Sequence, residues 1–330
     1  MEDKNTEGLA FENRLPLQDL LEAMSQIKTE LHKVIVGQDD FIELLIIALL
    51  ADGHVLIEGV PGVAKTITAK LLSKTISSGF SRIQFTPDLM PSDILGTSVL
   101  NMKTADFEFK KGPIFSNLIL IDEVNRAPAK TQAALFEVME ERQITIDGHT
   151  YIMPPPFMTL ATQNPIEQEG TYALPEAQLD RFLFKLNVKY PSKDEEVAIL
   201  NNQNKRKANT PEDLVQAILS ESDLLKYRNQ IFDILIDEKL LDYIANLVTT
   251  TRSHPQLYLG GSPRASIAIL QTSKACAAIN GRDFVTPEDI QRVIYPVLRH
   301  RIILTPENEM EGLTTDHVIK MIIDSITVPR

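Results

Sequence analysis

A glycine-rich segment near residue 60 constrains the fold of this chain more than any other feature. It runs through Gly59, Val60, Pro61, Gly62, Val63, Ala64, Lys65 and Thr66. An apolar run at residues 54–58 precedes it, and helical spacing follows at 66–75. A strand, a loop and a helix in this order match the P-loop pattern GxxxxGK(S/T), except that Ala64 replaces the second glycine.

The residue types in this loop suit a phosphate group. Backbone N–H groups at the start of a helix converge on an anion, a lysine adds a cation, and a hydroxyl can bind Mg²⁺. Gly59, Gly62, Lys65 and Thr66 supply these parts. A left-handed conformation at Ala64 would cost about 1 kcal/mol, which does not exclude alanine. The alternative is a strand-to-helix turn that binds no ligand.

A second apolar run, at residues 117–121, ends in Asp122 and Glu123. Downstream of a P-loop, this pattern predicts Asp122 as part of the Mg²⁺ shell and Glu123 as the group that orients an attacking water. The alternative is an ordinary strand followed by acidic turn residues. The Asn-Lys dipeptide at 204–205 lacks the acidic residue of a guanine-reading motif, so adenine is favoured. We therefore expect ATP and Mg²⁺ as cofactors.

Further strands are predicted at residues 81–85, 117–121, 157–161 and 182–188. With a helix at 129–142, the alternation predicts an α/β fold built on a mostly parallel, helix-covered sheet. From residue 194 to 323 the spacing is helical, without convincing strand alternation. We expect a nucleotide-binding core with N-terminal helices at 1–190 and a helical lid at 191–330. Within the lid, Thr210 and Thr286 each precede a proline and predict a helix start.

Composition narrows the classes of protein further. Of 330 residues, 43% are hydrophobic and 24% charged, which is typical of a globular chain. The net charge of -12 disfavours a general nucleic-acid surface, and the basic run at 205–207 is interpreted as solvated. The apolar run at 41–50 is about half the ~20 residues of a membrane span. Residues 1–14 lack an apolar signal segment, so we expect a cytoplasmic protein without a transmembrane segment.

Three segments together carry a family resemblance. Residues 122–127, 161–165 and 174–182 closely resemble the MoxR family of AAA+ ATPases, in which alanine commonly precedes the P-loop lysine. The resemblance extends from about residue 36 to 301 and includes the late His300-Arg301 pair. It implies a P-loop NTPase core of the AAA+ type with a C-terminal all-α lid domain.

The resemblance also implies roles for single residues. Asn164 resembles the sensor 1 residue between Glu123 and the γ-phosphate. Arg181 resembles an arginine finger that acts across a subunit interface, with a local salt bridge to Asp180 as the alternative. Arg264 resembles the sensor 2 arginine at the start of a lid helix, and the sequence leaves open whether it serves its own subunit or a neighbour.

Segments outside the catalytic residues are also covered by the resemblance. Val36, Gly37 and Gln38 resemble the segment that lies against adenine. Residues 143–152 predict a hairpin with an Asp-Gly turn, and 91–113 resembles an insertion in the core. In related ATPases such elements face a pore or a substrate, although a rigid surface decoration is the alternative.

The expected function is an ATPase that assembles as a ring, a hexamer by analogy, and remodels a protein client. The resemblance implies chaperone-like maturation, such as metal or cofactor insertion with a partner that bears a von Willebrand factor A domain. The alternatives are a nucleic-acid motor and a nucleotide-gated scaffold with little hydrolysis. Histidines are scattered without ligand spacing, and Cys276 is expected to be buried, so no further metal is expected.

Overall fold

The computed structural model describes residues 15–103, 105–164, 172–206 and 210–329, without the side chain of Arg206. The acidic N-terminal stretch, Pro165 of the resemblance and Lys207 of the basic run lie outside these residues. The helices are α1 (Gln18–His32), α2 (Asp39–Leu50), α3 (Lys65–Thr75), α4 (Pro91–Leu95), α5 (Ala129–Glu141), α6 (Glu176–Leu179), α7 (Lys193–Arg206), α8 (Glu221–Phe232), α9 (Glu238–Ser253), α10 (Pro263–Ile279), α11 (Pro287–Leu298), α12 (Pro306–Met310) and α13 (Thr315–Ser325). The strands are β1 (Val55–Gly59), β2 (Phe80–Gln84), β3 (Gly96–Asn101), β4 (Asp106–Lys111), β5 (Leu118–Asp122), β6 (Gln143–Ile146), β7 (His149–Ile152), β8 (Met158–Gln163), β9 (Phe184–Val188), β10 (Leu257–Leu259) and β11 (Ile303–Leu304).

Five strands form the central sheet in the order β2-β5-β8-β1-β9. Every neighbouring pair is parallel, which confirms the predicted sheet. Each predicted strand overlaps an observed one, with ends that differ by at most two residues. Because the strands run in one direction, the ends of β1, β5 and β8 meet at the same edge, where ligands bind in open α/β sheets.

Alternating side chains place the two faces of this sheet in different cores. Val55 and Ile57 of β1 pack with α1, α2, α3 and the C-terminal helices. Leu56, between them, packs with Leu135 and Phe136 of α5 on the other face. The N-terminal helices α1 and α2 also contact α10, so the first core joins both ends of the chain.

Two antiparallel hairpins project from the core. Strands β6 and β7 pair across Asp147 and Gly148, whose φ angles of 51° and 77° suit a tight turn of the predicted Asp-Gly type. Strands β3 and β4 form the second hairpin inside the predicted insertion at 91–113. At the β3–β4 hairpin, the apolar side chains of Leu100, Met102 and Phe107 are exposed to solvent.

The region after residue 190 is mainly helical, as predicted, with two corrections. Strands β10 and β11 form a short antiparallel ladder, which the sequence did not indicate because three and two residues are too few to show alternation. Thr286 begins α11, whereas Thr210 begins only the 3-10 turn Pro211–Leu214. Cys276 is buried, as expected. No helix in the described residues is both long and apolar enough to cross a membrane.

Candidate active site

The glycine-rich loop joins the end of β1 to the first turn of α3. Gly59 ends the strand, and a Cβ there would lie 2.8 Å from the carbonyl oxygen of Val188 on β9, so the close strand packing needs glycine. Gly62 has φ 86°, which favours glycine for conformational reasons. Ala64 has φ 61° and ψ 16°, so the left-handed conformation considered from the sequence is the one observed. Backbone N–H groups at the start of α3 therefore face the carboxyl edge of the sheet.

Lys65 lies between this loop and the two carboxylates. Its Nζ donates a hydrogen bond to the carbonyl oxygen of Gly59 at 2.5 Å, and its side chain is half-buried. Burial lowers the pKa of Lys65, while the negative charges of Asp122 and Glu123 oppose that change. Thr66 follows in the first turn of α3.

Asp122 is the buried last residue of β5, and both of its carboxylate oxygens have partners. Arg82 on the neighbouring strand β2 donates from Nε to Oδ2 at 2.6 Å. Thr162 on β8 donates from its hydroxyl to Oδ1 at 3.1 Å. Neither Arg82 nor Thr162 was predicted as a site residue, because only the strand order brings them beside Asp122.

Glu123 follows directly and has a left-handed backbone, with φ 58° and ψ 51°. Its N–H group donates to the hydroxyl of Thr162 at 3.0 Å, which fixes the turn. Its carboxylate accepts a hydrogen bond from Gln84 Nε2 at 3.0 Å and pairs with Arg126 at 3.1 Å. Asn164 comes directly after β8 on the same edge. The structure thus brings Lys65, Asp122, Glu123 and Asn164 to one edge, and adds Gln84 to the predicted set.

A cavity of about 360 Å³ lies beside the glycine-rich loop. Its lining includes Val36, Gln38 and the loop residues Gly62, Val63 and Ala64, with apolar walls from Ile67 and Ile199. Gln38 Nε2 donates to the carbonyl oxygen of Val63 at 3.2 Å, whereas Gln38 Oε1 is buried and has no hydrogen-bond donor in the described residues. Gly37 adjoins this wall with φ 64°.

Arg181 and Arg264 lie together, but at the other edge of the sheet. Arg181 Nε donates to Glu140 Oε2 at 3.1 Å, and Arg264 Nη2 donates to Glu140 Oε1 at 2.6 Å. Leu183, two residues after Arg181, donates its N–H to the carbonyl oxygen of His54, which lies before the start of β1. The P-loop follows the opposite end of β1, so the length of that strand separates the arginine pair from it.

The alternative of a salt bridge between Arg181 and Asp180 is wrong. Asp180 instead accepts hydrogen bonds from Arg301 Nε at 2.8 Å and from the hydroxyl of Ser262 at 3.0 Å. Ser262 precedes α10, the helix that carries Arg264. Asp180 therefore joins the segment that carries one arginine to the helix that carries the other.

The pair His300 and Arg301 extends this support from the C-terminal region. Arg301 is buried and also donates to the carbonyl oxygens of Phe182 (2.6 Å) and Leu183 (3.1 Å). His300 Nε2 lies 2.9 Å from the same Phe182 oxygen. Burial lowers the pKa of Arg301, and the charge of Asp180 opposes that change. Neither residue was predicted to support the site beyond its place in the resemblance.

Comparison with known proteins agrees with this architecture. Residues 54–184 match the family model described as ATPase family associated with various cellular activities (AAA), and residues 249–322 match the AAA lid domain. The protein Chaperone MoxR1 of Mycobacterium tuberculosis is 44% identical over 98% of this chain and 85% of its own length. The uncharacterized protein YeaC of Bacillus subtilis is 44% identical over 94% of this chain and 97% of its own.

A crystal structure of a Cytophaga hutchinsonii protein classed as an ATPase has a TM-score of 0.88 and 44% identity, and covers 94% of this chain and 97% of its own. The fold therefore recurs over nearly the whole length of both chains. Relatives this similar over almost the whole chain establish the family, and with it nucleotide binding and ATP hydrolysis. The chain belongs to the MoxR family of AAA+ ATPases.

Proposed function

We propose that this ATPase hydrolyses ATP between subunits of a six-membered ring. The observation that carries the proposal is the separation of Arg181 and Arg264 from the P-loop by the length of β1. Arginine residues that stabilise phosphoryl transfer must reach the γ-phosphate. In a ring, the amino edge of one subunit can face the carboxyl edge of the next, as a head-to-tail interface requires. The arginine pair would then act on a neighbour's nucleotide.

The residues at the carboxyl edge fit a nucleotide with its metal. Gln38 Oε1 needs a donor. The 6-amino group of adenine would supply one, whereas guanine has a carbonyl oxygen at that position, which favours ATP over GTP. Thr66 and Asp122 would hold Mg²⁺, which supplies charge neutralisation for the β- and γ-phosphates when it is bound. Arg82 donates to the same carboxylate, which has enough acceptor sites to hold both the guanidinium and the metal.

Each remaining side chain of the edge has a role in this proposal. Lys65 would pair with the phosphates once they displace it from the Gly59 carbonyl. Glu123 would accept a hydrogen bond from the attacking water, and Gln84 and Arg126 hold its carboxylate in the geometry described above. Asn164 would orient the same water from the end of β8.

The action of the ring on a client protein is proposed from two observations, the exposed apolar side chains of one hairpin and the name of a relative. A relative carries the name Chaperone MoxR1, and the exposed apolar side chains of the β3–β4 hairpin offer contacts for an incompletely folded chain. We propose remodelling of a protein client in the cytoplasm, such as metal or cofactor insertion with a von Willebrand factor A domain partner. The net charge of -12 argues against nucleic acid as the client.

Sedimentation of the Glu123→Gln variant tests the ring. Since this substitution keeps the side-chain size and removes the charge, ATP should bind without turnover. We expect ATP to convert the variant to six-subunit particles and Lys65→Ala, which lacks the phosphate-binding ammonium, to remain unassembled. A single subunit at saturating ATP would contradict the proposal. Tight, salt-sensitive binding to single- or double-stranded DNA would instead favour the nucleic-acid motor.

A further inference from the structure

A second cavity, of about 610 Å³, lies between the end of α2 and the helices α8 and α10. We call it the seam cavity, because its walls come from both the core and the C-terminal helices. Leu50 and Pro155 line the core side, and Leu225 and Ile231 line the α8 side. Its volume is within the roughly 300–1,000 Å³ of small-molecule sites. Its described lining includes no residue of the P-loop.

Positive charge dominates the polar part of the seam cavity. Arg142, Arg228 and Lys274 line it against a single lining carboxylate, Asp52. Asp52 pairs with Arg142 at 2.5 Å and also with Arg228 Nη1. Asp233 adjoins Lys274 and opposes the lowering of its pKa by burial, but Asp233 does not belong to the described lining. The lining therefore carries more positive than negative charge, which favours the binding of an anion.

Arg228 is the most buried of these cations, with 7% of its surface exposed. Its Nε donates to the carbonyl oxygen of Leu49 at 2.9 Å, while its Nη2 is buried and has no acceptor in the described residues. Burial lowers the pKa of Arg228; the charge of Asp52 opposes that change, and the charge of Arg142 adds to it. A buried guanidinium nitrogen without an acceptor is unfavourable unless a ligand or water oxygen supplies one.

Lys274 completes the cationic side from α10. Its Nζ donates one hydrogen bond to the carbonyl oxygen of Phe232 at 2.8 Å. An ammonium group has three N–H donors, so this bond uses only one of them. The seam cavity therefore combines apolar walls with two cations that have unused hydrogen-bond donors, which makes it an amphipathic site. A neutral apolar ligand would leave these donors unused, and a phosphorylated ligand would place a larger charge against apolar walls.

We infer that the seam cavity binds an organic carboxylate with an apolar body, such as a medium-chain fatty acid. The carboxylate lies against Arg228 and Lys274, and the chain packs along Leu50, Leu225 and Ile231. The ligand is a free small molecule, because the cavity is bounded by both the core and the lid and has the volume of a small-molecule site. This site is independent of the nucleotide site, and its test does not depend on hydrolysis.

Titration calorimetry of the full chain with octanoate, decanoate and 1-octanol tests the inference. We expect one octanoate per subunit, bound at least tenfold more tightly than 1-octanol, because only the carboxylate uses the cations. Decanoate should bind about tenfold more tightly than octanoate, since two more methylene groups leave water. Equal affinity for octanoate and 1-octanol would overturn the inference.

Three variants locate the site. Lys274→Met should weaken octanoate binding at least fivefold and change 1-octanol binding less than twofold. Leu225→Trp, which fills the cavity from a half-buried position, should abolish decanoate binding. Lys320→Met, at an exposed position of α13, is the matched control and should change the affinity for neither octanoate nor decanoate. Decanoate binding that survives Leu225→Trp, in protein with an unchanged melting temperature, would place the ligand elsewhere and refute the assignment. If that variant melts earlier, the Lys274→Met result decides alone.

Discussion

His54 gives this fold a pH dependence that can be measured separately from its other titrating groups. The imidazole is buried next to Phe157. Its Nδ1 accepts a hydrogen bond from the N–H of Thr159 at 3.0 Å, so the proton lies on Nε2, which donates to the carbonyl oxygen of Met139 at 3.1 Å. Burial, followed by the charge of Arg142, lowers the pKa of His54 to about 4.

The sign and the size of the effect follow from linkage. An unfolded histidine has a pKa of about 6.5, so the unfolded chain takes up the proton first as the pH falls. The stability that His54 contributes is complete above about pH 6.5 and is lost progressively towards pH 4. The difference between the two pKa values corresponds to about 3 kcal/mol in total, of which about 2 kcal/mol is lost between pH 7 and pH 5.

Urea unfolding of wild type and His54→Asn at pH 7, 6 and 5 measures this loss. The asparagine variant is expected to be less stable at pH 7, but its free energy of unfolding should fall by about 2 kcal/mol less than that of wild type between pH 7 and pH 5. His149→Asn, at an exposed histidine of β7, is the control and should keep the wild-type pH dependence. An unchanged pH dependence in His54→Asn would refute the burial argument.

Two further predictions concern the supports of the site. Arg301→Met should lower the free energy of unfolding by about 3 kcal/mol, because it removes the buried cation that pairs with Asp180 and one of the donors to the Phe182 carbonyl oxygen. Arg292→Met, which breaks more exposed ion pairs with Asp40 and Glu43, should lower it by less than about 1 kcal/mol in the same denaturation experiment. Gln38→Asn tolerates the left-handed backbone but shortens the side chain, so ATP affinity should fall about tenfold by fluorescence titration while GTP affinity stays the same. Equal losses of stability in Arg301→Met and Arg292→Met would contradict the first prediction. Equal losses of ATP and GTP affinity in Gln38→Asn would contradict the second.

Local sequence patterns predicted the structure correctly where it depends on residues that are neighbours in the sequence. The loop from Gly59 to Thr66 lies between a buried strand and a helix, and the turn at Asp147 and Gly148 closes its hairpin, as the sequence predicted. The sequence also allows a left-handed backbone at Ala64 at a tolerable free-energy cost, and this conformation is the one observed. These features depend on neighbouring residues, which the sequence displays directly.

Contacts across the fold were not predictable in the same way. Glu140 joins Arg181 and Arg264, which lie 41 and 124 positions further along the chain. Gln84 reaches Glu123 only because β2 pairs with β5. No pattern of spacing encodes such pairs, since they result from strand order and helix packing.

The helix start predicted at Thr210 shows a related limit of prediction from the sequence. A capping box can satisfy the first turn, and here it closes one 3-10 turn. The chain then continues in extended form, and the N–H groups of Ile218 and Leu219 bond to the carbonyl oxygen of Thr75. Tertiary hydrogen bonds therefore replace the helix that the cap alone suggested.

The central claim is that Arg181 acts on the nucleotide of a neighbouring subunit, and mixed rings test it most directly. Arg181→Ala subunits keep the P-loop but lack the arginine, whereas Glu123→Gln subunits keep the arginine but cannot turn over. Equal amounts of the two inactive proteins should recover roughly a quarter of the wild-type ATPase rate, because random mixing restores about one interface in four. No recovery, in rings shown by native mass spectrometry to contain both variants, would contradict the claim.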